Sequence, residues 1–105
     1  MIADLAAHRC PNAQILVNRI LEAFKASTEN ELFINTIEPS LQRSVAGRIA
    51  GYDLPFEIAE VKTRPILQVD LDRWHEQFDE EDTEDVTSVS IIKIVKNENQ
   101  SVEVG

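Results

Sequence analysis

The periodicity of apolar residues first changes just after Gly51, and the place where it changes limits the folds available. Before Gly51 the apolar positions recur at three- and four-residue spacing; from Phe56 they alternate as in extended backbone. Phe56 and Ile58 share one face of such a segment, while Ala59 and Val61 share the other, which predicts a two-sided strand. Thr63–Pro65 then turns the chain, and Ile66, Leu67 and Val69 predict a second short strand, paired antiparallel with the first. A helix follows, capped by Asp70 or Asp72, with Leu71, Trp74 and Phe78 along one stripe. The acidic run Asp79–Asp85 opposes the negative end of the helix dipole, so the helix is expected to fray near Glu80 into an acidic loop.

Pro11 suits a first helical position, because its missing N–H would be unpaired there. Ala13, Leu16, Val17, Ile20, Leu21 and Phe24 then form the apolar stripe of a helix of about four turns. Ile2, Leu5 and Ala6 predict a short turn before it. Thr28 and Glu31 have the spacing of a capping box, and Phe33, Ile37, Leu41, Val45 and Ile49 recur every fourth residue. Pro39 breaks that run at Glu38, which predicts a short helix, then another from Ser40 to Ala50 closed by Gly51. Glu31–Ile37 is also compatible with a strand.

Val86–Lys96 is the strongest strand pattern: Ile92 and Ile94 point one way, and Val89, Ile91 and Val95 the other. Asn97–Gln100 reads as a turn and Ser101–Val104 as a short edge strand. The order predicts a single α+β domain over residues 1–105: N-terminal helices, then strand-strand-helix-strand-strand, with helices on one face of a small antiparallel sheet.

Composition narrows the function classes. The net charge of −9 lies entirely in the second half, where fourteen acids face five bases; residues 1–52 balance. Such a surface repels phosphate backbones and favours basic proteins, so duplex nucleic acid is not an expected ligand. The one cysteine, Cys10, excludes an internal disulfide and a four-cysteine zinc site. No uncharged apolar stretch approaches the roughly 20 residues of a membrane span. The expected location is the cytoplasm.

Three groups of residues bear on chemistry. Glu60 and Lys62, two apart on a predicted strand, share a face and follow Asp53. An acid pair holding magnesium beside a lysine suits metal-assisted phosphodiester hydrolysis, and Asp53, Glu60-Val61-Lys62 resembles the PD-(D/E)xK nuclease pattern over about ten residues. Here Asp53 follows a helix and Gly51, whereas the family's aspartate lies on a preceding strand. A same-face Glu/Lys pair is also an ordinary surface feature.

The acidic block Asp79, Glu80, Glu81, Asp82, Glu84 and Asp85 does not fit a calcium loop, because Glu84 stands where the turn glycine is needed. With Trp74 as anchor it is the candidate docking surface for a basic partner. Trp74 also fits a core position. His8 and Cys10, two apart, invite a metal or nucleophile reading, but the other histidine, His75, lies in a distant helix, and the pair reads as incidental.

The sequence therefore predicts a small binding protein without cofactor that meets a basic protein, as an inhibitor, immunity protein, chaperone or adaptor would. The alternatives are a subunit of a homo-oligomer, pairing through Ser101–Val104 or the N-terminal helices, and the magnesium-dependent nuclease.

Overall fold

The computed structural model describes residues 1–97. Its elements in chain order are β1 (Ile2–Asp4), α1 (Asn12–Ala26), β2 (Glu31–Thr36), α2 (Leu41–Gly51), β3 (Phe56–Pro65), α3 (Gln68–Trp74), one 3₁₀ turn (Glu80–Asp82) and β4 (Ser88–Lys96). The four strands form one sheet in the order β1-β2-β4-β3. β4 pairs antiparallel with β2 on one side and β3 on the other, the interior position its two-sided pattern predicts. The α+β class stands.

The sheet itself differs from the predicted one. It is mixed, because β1 runs parallel to β2, and a parallel pair needs a crossover connection, which α1 supplies. The short turn expected before α1 forms at Leu5–His8, where the His8 N–H donates to the Leu5 carbonyl (3.0 Å), but Ile2 belongs to β1 and not to that turn.

Glu31–Thr36 is strand and not helix. Leu32 and Ile34 are fully buried and Thr36 nearly so, while Phe33 and Asn35 point the other way, so the two-residue period prevails over the four-residue one. The Thr28–Glu31 capping box does not form. Ser27 ends α1 instead, its hydroxyl donating to the Phe24 carbonyl (2.8 Å) and accepting from the Glu29 N–H (3.2 Å).

β3 continues to Pro65, with a register shift against β4 between Ile58 and Glu60 that leaves Ala59 exposed and puts Val61 on the same core as Phe56 and Ile58. Ile66–Val69 is no strand, and Ile66 and Leu67 bridge directly into α3. Pro65 lies on an edge strand, where its missing donor costs no ladder bond. The exposed Glu57, Glu60 and Lys62 put charge along that edge, a usual guard against edge-to-edge pairing. The expected strand Ser101–Val104, and with it the pairing surface of the homo-oligomer reading, lies outside the described residues.

Two cores result. Leu5 from the first loop, Ala13, Val17, Leu21 and Phe24 of α1, Leu41 and Val45 of α2, and Leu32, Ile34, Ile92 and Ile94 of the sheet form the larger. Phe24 and Phe56 stack at its end with ring centroids 4.9 Å apart. Val89 lies on the opposite side of β4 from Ile92 and Ile94. There it joins Ala7, Ile37 and Trp74 in the smaller cluster, which seats α3 at one end of the other sheet face.

α3 begins under one carboxylate. Asp70, 2% exposed, accepts from the Leu67 N–H (2.9 Å), from both terminal nitrogens of Arg64 (2.7 and 3.0 Å) and from Arg73 (3.1 Å). The Arg64 bond holds the Asp70 carboxyl below the usual carboxylate range, overcoming the upward push of burial. This acid is part of the frame.

Candidate functional site

Because β1 and β2 are parallel, their carboxyl ends reach the same edge of the sheet, and the loops that lead into α1 and α2 become neighbours there. The first loop carries Arg9-Cys10-Pro11 and the second Glu38-Pro39-Ser40. Crevices outside the carboxyl ends of parallel strands are where open α/β sheets most often place ligand groups.

Glu38 joins the two loops. One of its carboxylate oxygens accepts from Arg9 Nε (3.1 Å) and the Cys10 N–H (3.2 Å). The other accepts from the Ser40 N–H (3.1 Å) and the Ser40 hydroxyl (2.9 Å). Burial raises the Glu38 pKa, but the bonds from Ser40, Cys10 and Arg9 outweigh it and hold the carboxyl near 2. With the side chain only 10% exposed, Glu38 is an ionised brace at neutral pH.

Above this brace sits Cys10. It is free and exposed, its peptide bond to Pro11 is cis, and its Sγ lies 3.8 Å from Ser40 Oγ. Pro11 is the N-cap of α1 and Ser40 that of α2, so the thiol stands where two helices begin. His8 turns elsewhere: its ring meets Phe78 edge to face, 4.8 Å between centroids. The His8–Cys10 pair thus divides, one residue to packing and the other to the surface.

Arg9 extends the site towards the acidic block. Its guanidinium grips Asp85 through two bonds (2.7 and 3.1 Å) and donates to the Asp82 carbonyl (3.0 Å). Asp85 is drawn below the usual carboxylate range by that guanidinium. The Asp82 carboxylate accepts the Asp79 N–H (3.0 Å), which closes the 3₁₀ turn.

Of the acids proposed for docking, Asp82 and Asp85 are therefore engaged within the fold. Asp79, Glu80, Glu81 and Glu84 are exposed and in no ion pair among the described residues. Trp74 is a core side chain, 5% exposed, and its indole Nε1 has no hydrogen-bond partner among the described residues.

The nuclease-like residues are placed differently. Lys62 and Glu60 are 3.8 Å apart on β3, both well exposed. Asp53 occupies the turn between α2 and β3 with φ of 50°. Among the described residues no three of His, Cys, Asp or Glu gather into a group able to hold a metal, and no helix is long and apolar enough to cross a membrane.

Glu38 and Ser40 escape a reading of the sequence because Pro39 marks them only as a helix break. A signal was nonetheless present: each parallel strand is followed by a proline at or just before a helix start, at Pro11 and Pro39. Comparisons with protein-family models, with curated proteins and with solved structures gave no match.

Proposed function

We propose that this chain is a small binding protein that presents the Cys10 thiol to a basic protein partner docked on its acidic 70–85 surface. One observation carries the reading: Arg9 bonds the Glu38 brace beneath Cys10 with one nitrogen and Asp85 with two others. The thiol and the acidic loop are thereby held in one body. Asp79, Glu80, Glu81 and Glu84, in no ion pair among the described residues, supply the field that attracts and orients a basic partner. The expected setting is a reducing one, in which a lone exposed thiol persists as such.

Alkylation kinetics test the thiol half. Iodoacetamide is expected to modify Cys10 in the native protein within about threefold of the rate in the urea-unfolded chain, since an exposed sulfur is open to attack. Mass spectrometry counts the single adduct. Native protection of about tenfold or more, the mark of an inaccessible thiol, would overturn the proposal.

A further inference from the structure

Beside the acidic turn, α3 and the chain that follows it leave a groove of about 350 Å³, a size at the lower end of ordinary ligand pockets. Its walls join apolar and acidic groups: Leu71, Trp74 and Phe78 on one hand, and the carboxyl-bearing Asp72, Asp79 and Glu80 on the other. No lysine or arginine lines it, and none of those three acids takes part in an ion pair among the described residues. Leu71 and Phe78 are only half buried. Gln68 Nε2 donates to Asp72 (3.0 Å), and Asp79 and Glu80 keep their charge outside any ion pair among the described residues. Apolar surface beside these carboxylates asks for a group that is both flat and cationic.

We infer that this groove receives an arginine side chain carried on an apolar-flanked segment of the partner protein. Charge complementarity chooses the sign. A guanidinium also stacks its plane on aromatic rings and offers a fork of donors that two carboxylates share, whereas an ammonium is a compact, strongly hydrated point charge. The inference rests on the reading that a basic partner docks on this surface, and it adds where the anchor goes and which residue it is.

The test uses a fluorescein-labelled peptide of alternating arginine and leucine, its lysine counterpart, and the whole chain. Trp74 is the one tryptophan, so its emission reports occupation of the groove while fluorescein anisotropy reports binding of any kind. The arginine peptide is expected to change Trp74 emission saturably at low salt. The exposed double substitution Asp79→Asn with Glu80→Gln weakens it by about tenfold or more, and Glu57→Gln, at the far end of β3, leaves it within about twofold.

Equal affinity for the lysine peptide overturns the arginine assignment. Anisotropy that rises while Trp74 stays silent, or that ignores the double substitution, overturns the groove and leaves the acidic docking surface standing. No binding of either peptide at an ionic strength of about 0.02 M removes both.

Discussion

Phe24→Ala is expected to cost about 3–5 kcal/mol, the range for deleting a fully buried aromatic ring. Phe24 is 0% exposed on the inner face of α1 and meets Phe56, with the Lys96 ammonium 4.9 Å from its ring centroid. Its removal opens a void where α1 and the start of β3 meet. A domain of this size has roughly 5–15 kcal/mol of net stability, so the variant keeps little margin. Equilibrium urea unfolding followed by circular dichroism reads the loss. A cost below about 1 kcal/mol would mean that the ring is not the core side chain described.

Glu38→Ala carries the second large effect, and its origin is polar. The substitution strips an acceptor from four donors, namely Arg9 Nε, the Cys10 N–H, and the N–H and hydroxyl of Ser40. The carboxyl is lowered from 4.5 to about 2, which corresponds to a loss on the order of 3 kcal/mol at neutral pH. Because the folded pKa lies below the unfolded one, this contribution is present above about pH 4.5 and fades as pH falls towards about 2. The buried Asp70, also lowered, acts in the same direction.

Stability of the wild type is therefore expected to fall steeply across that acid window. In Glu38→Gln, which keeps the shape but not the charge, the fall is shallower and the neutral-pH stability is lower. Urea midpoints measured from pH 7 down to pH 2 distinguish the two slopes. Parallel curves would contradict the role given to Glu38.

Much of this fold was legible where one period dominates and much less where two compete. The α1 stripe from Ala13 to Phe24 and the alternation from Val89 to Val95 each have a single geometric solution, and both elements form as that periodicity demands. Glu31–Ile37 satisfies a four-residue and a two-residue spacing at once. Pairing with β4 decides it, a contact between residues about sixty positions apart that local pattern cannot register. Ile66–Val69 fails as a strand for a related reason: the Asp70 carboxylate, bound to Arg64 and the Leu67 N–H, starts a helix at once.

The site was less visible still. Cys10 and Glu38 are 28 residues apart, and their meeting depends on β1 being a strand parallel to β2, which three short residues do not announce. The acidic block was plain in the composition, but its division depends on contacts that composition does not carry: Asp82 is engaged by the Asp79 N–H and Asp85 by Arg9, while Asp79, Glu80, Glu81 and Glu84 stand in no ion pair among the described residues.

The most direct test of a thiol held beside an acidic docking surface is disulfide exchange with charged peptides. Each peptide carries one cysteine activated as a mixed disulfide with thionitrobenzoate. The Cys10 sulfur attacks the peptide sulfur, the new disulfide forms, and the released thionitrobenzoate anion is read by its absorbance. A basic peptide is expected to react faster than an otherwise matched acidic one by about tenfold or more at low salt, and the ratio to fall towards one at about 1 M salt. Equal rates for the two peptides at low salt would contradict it.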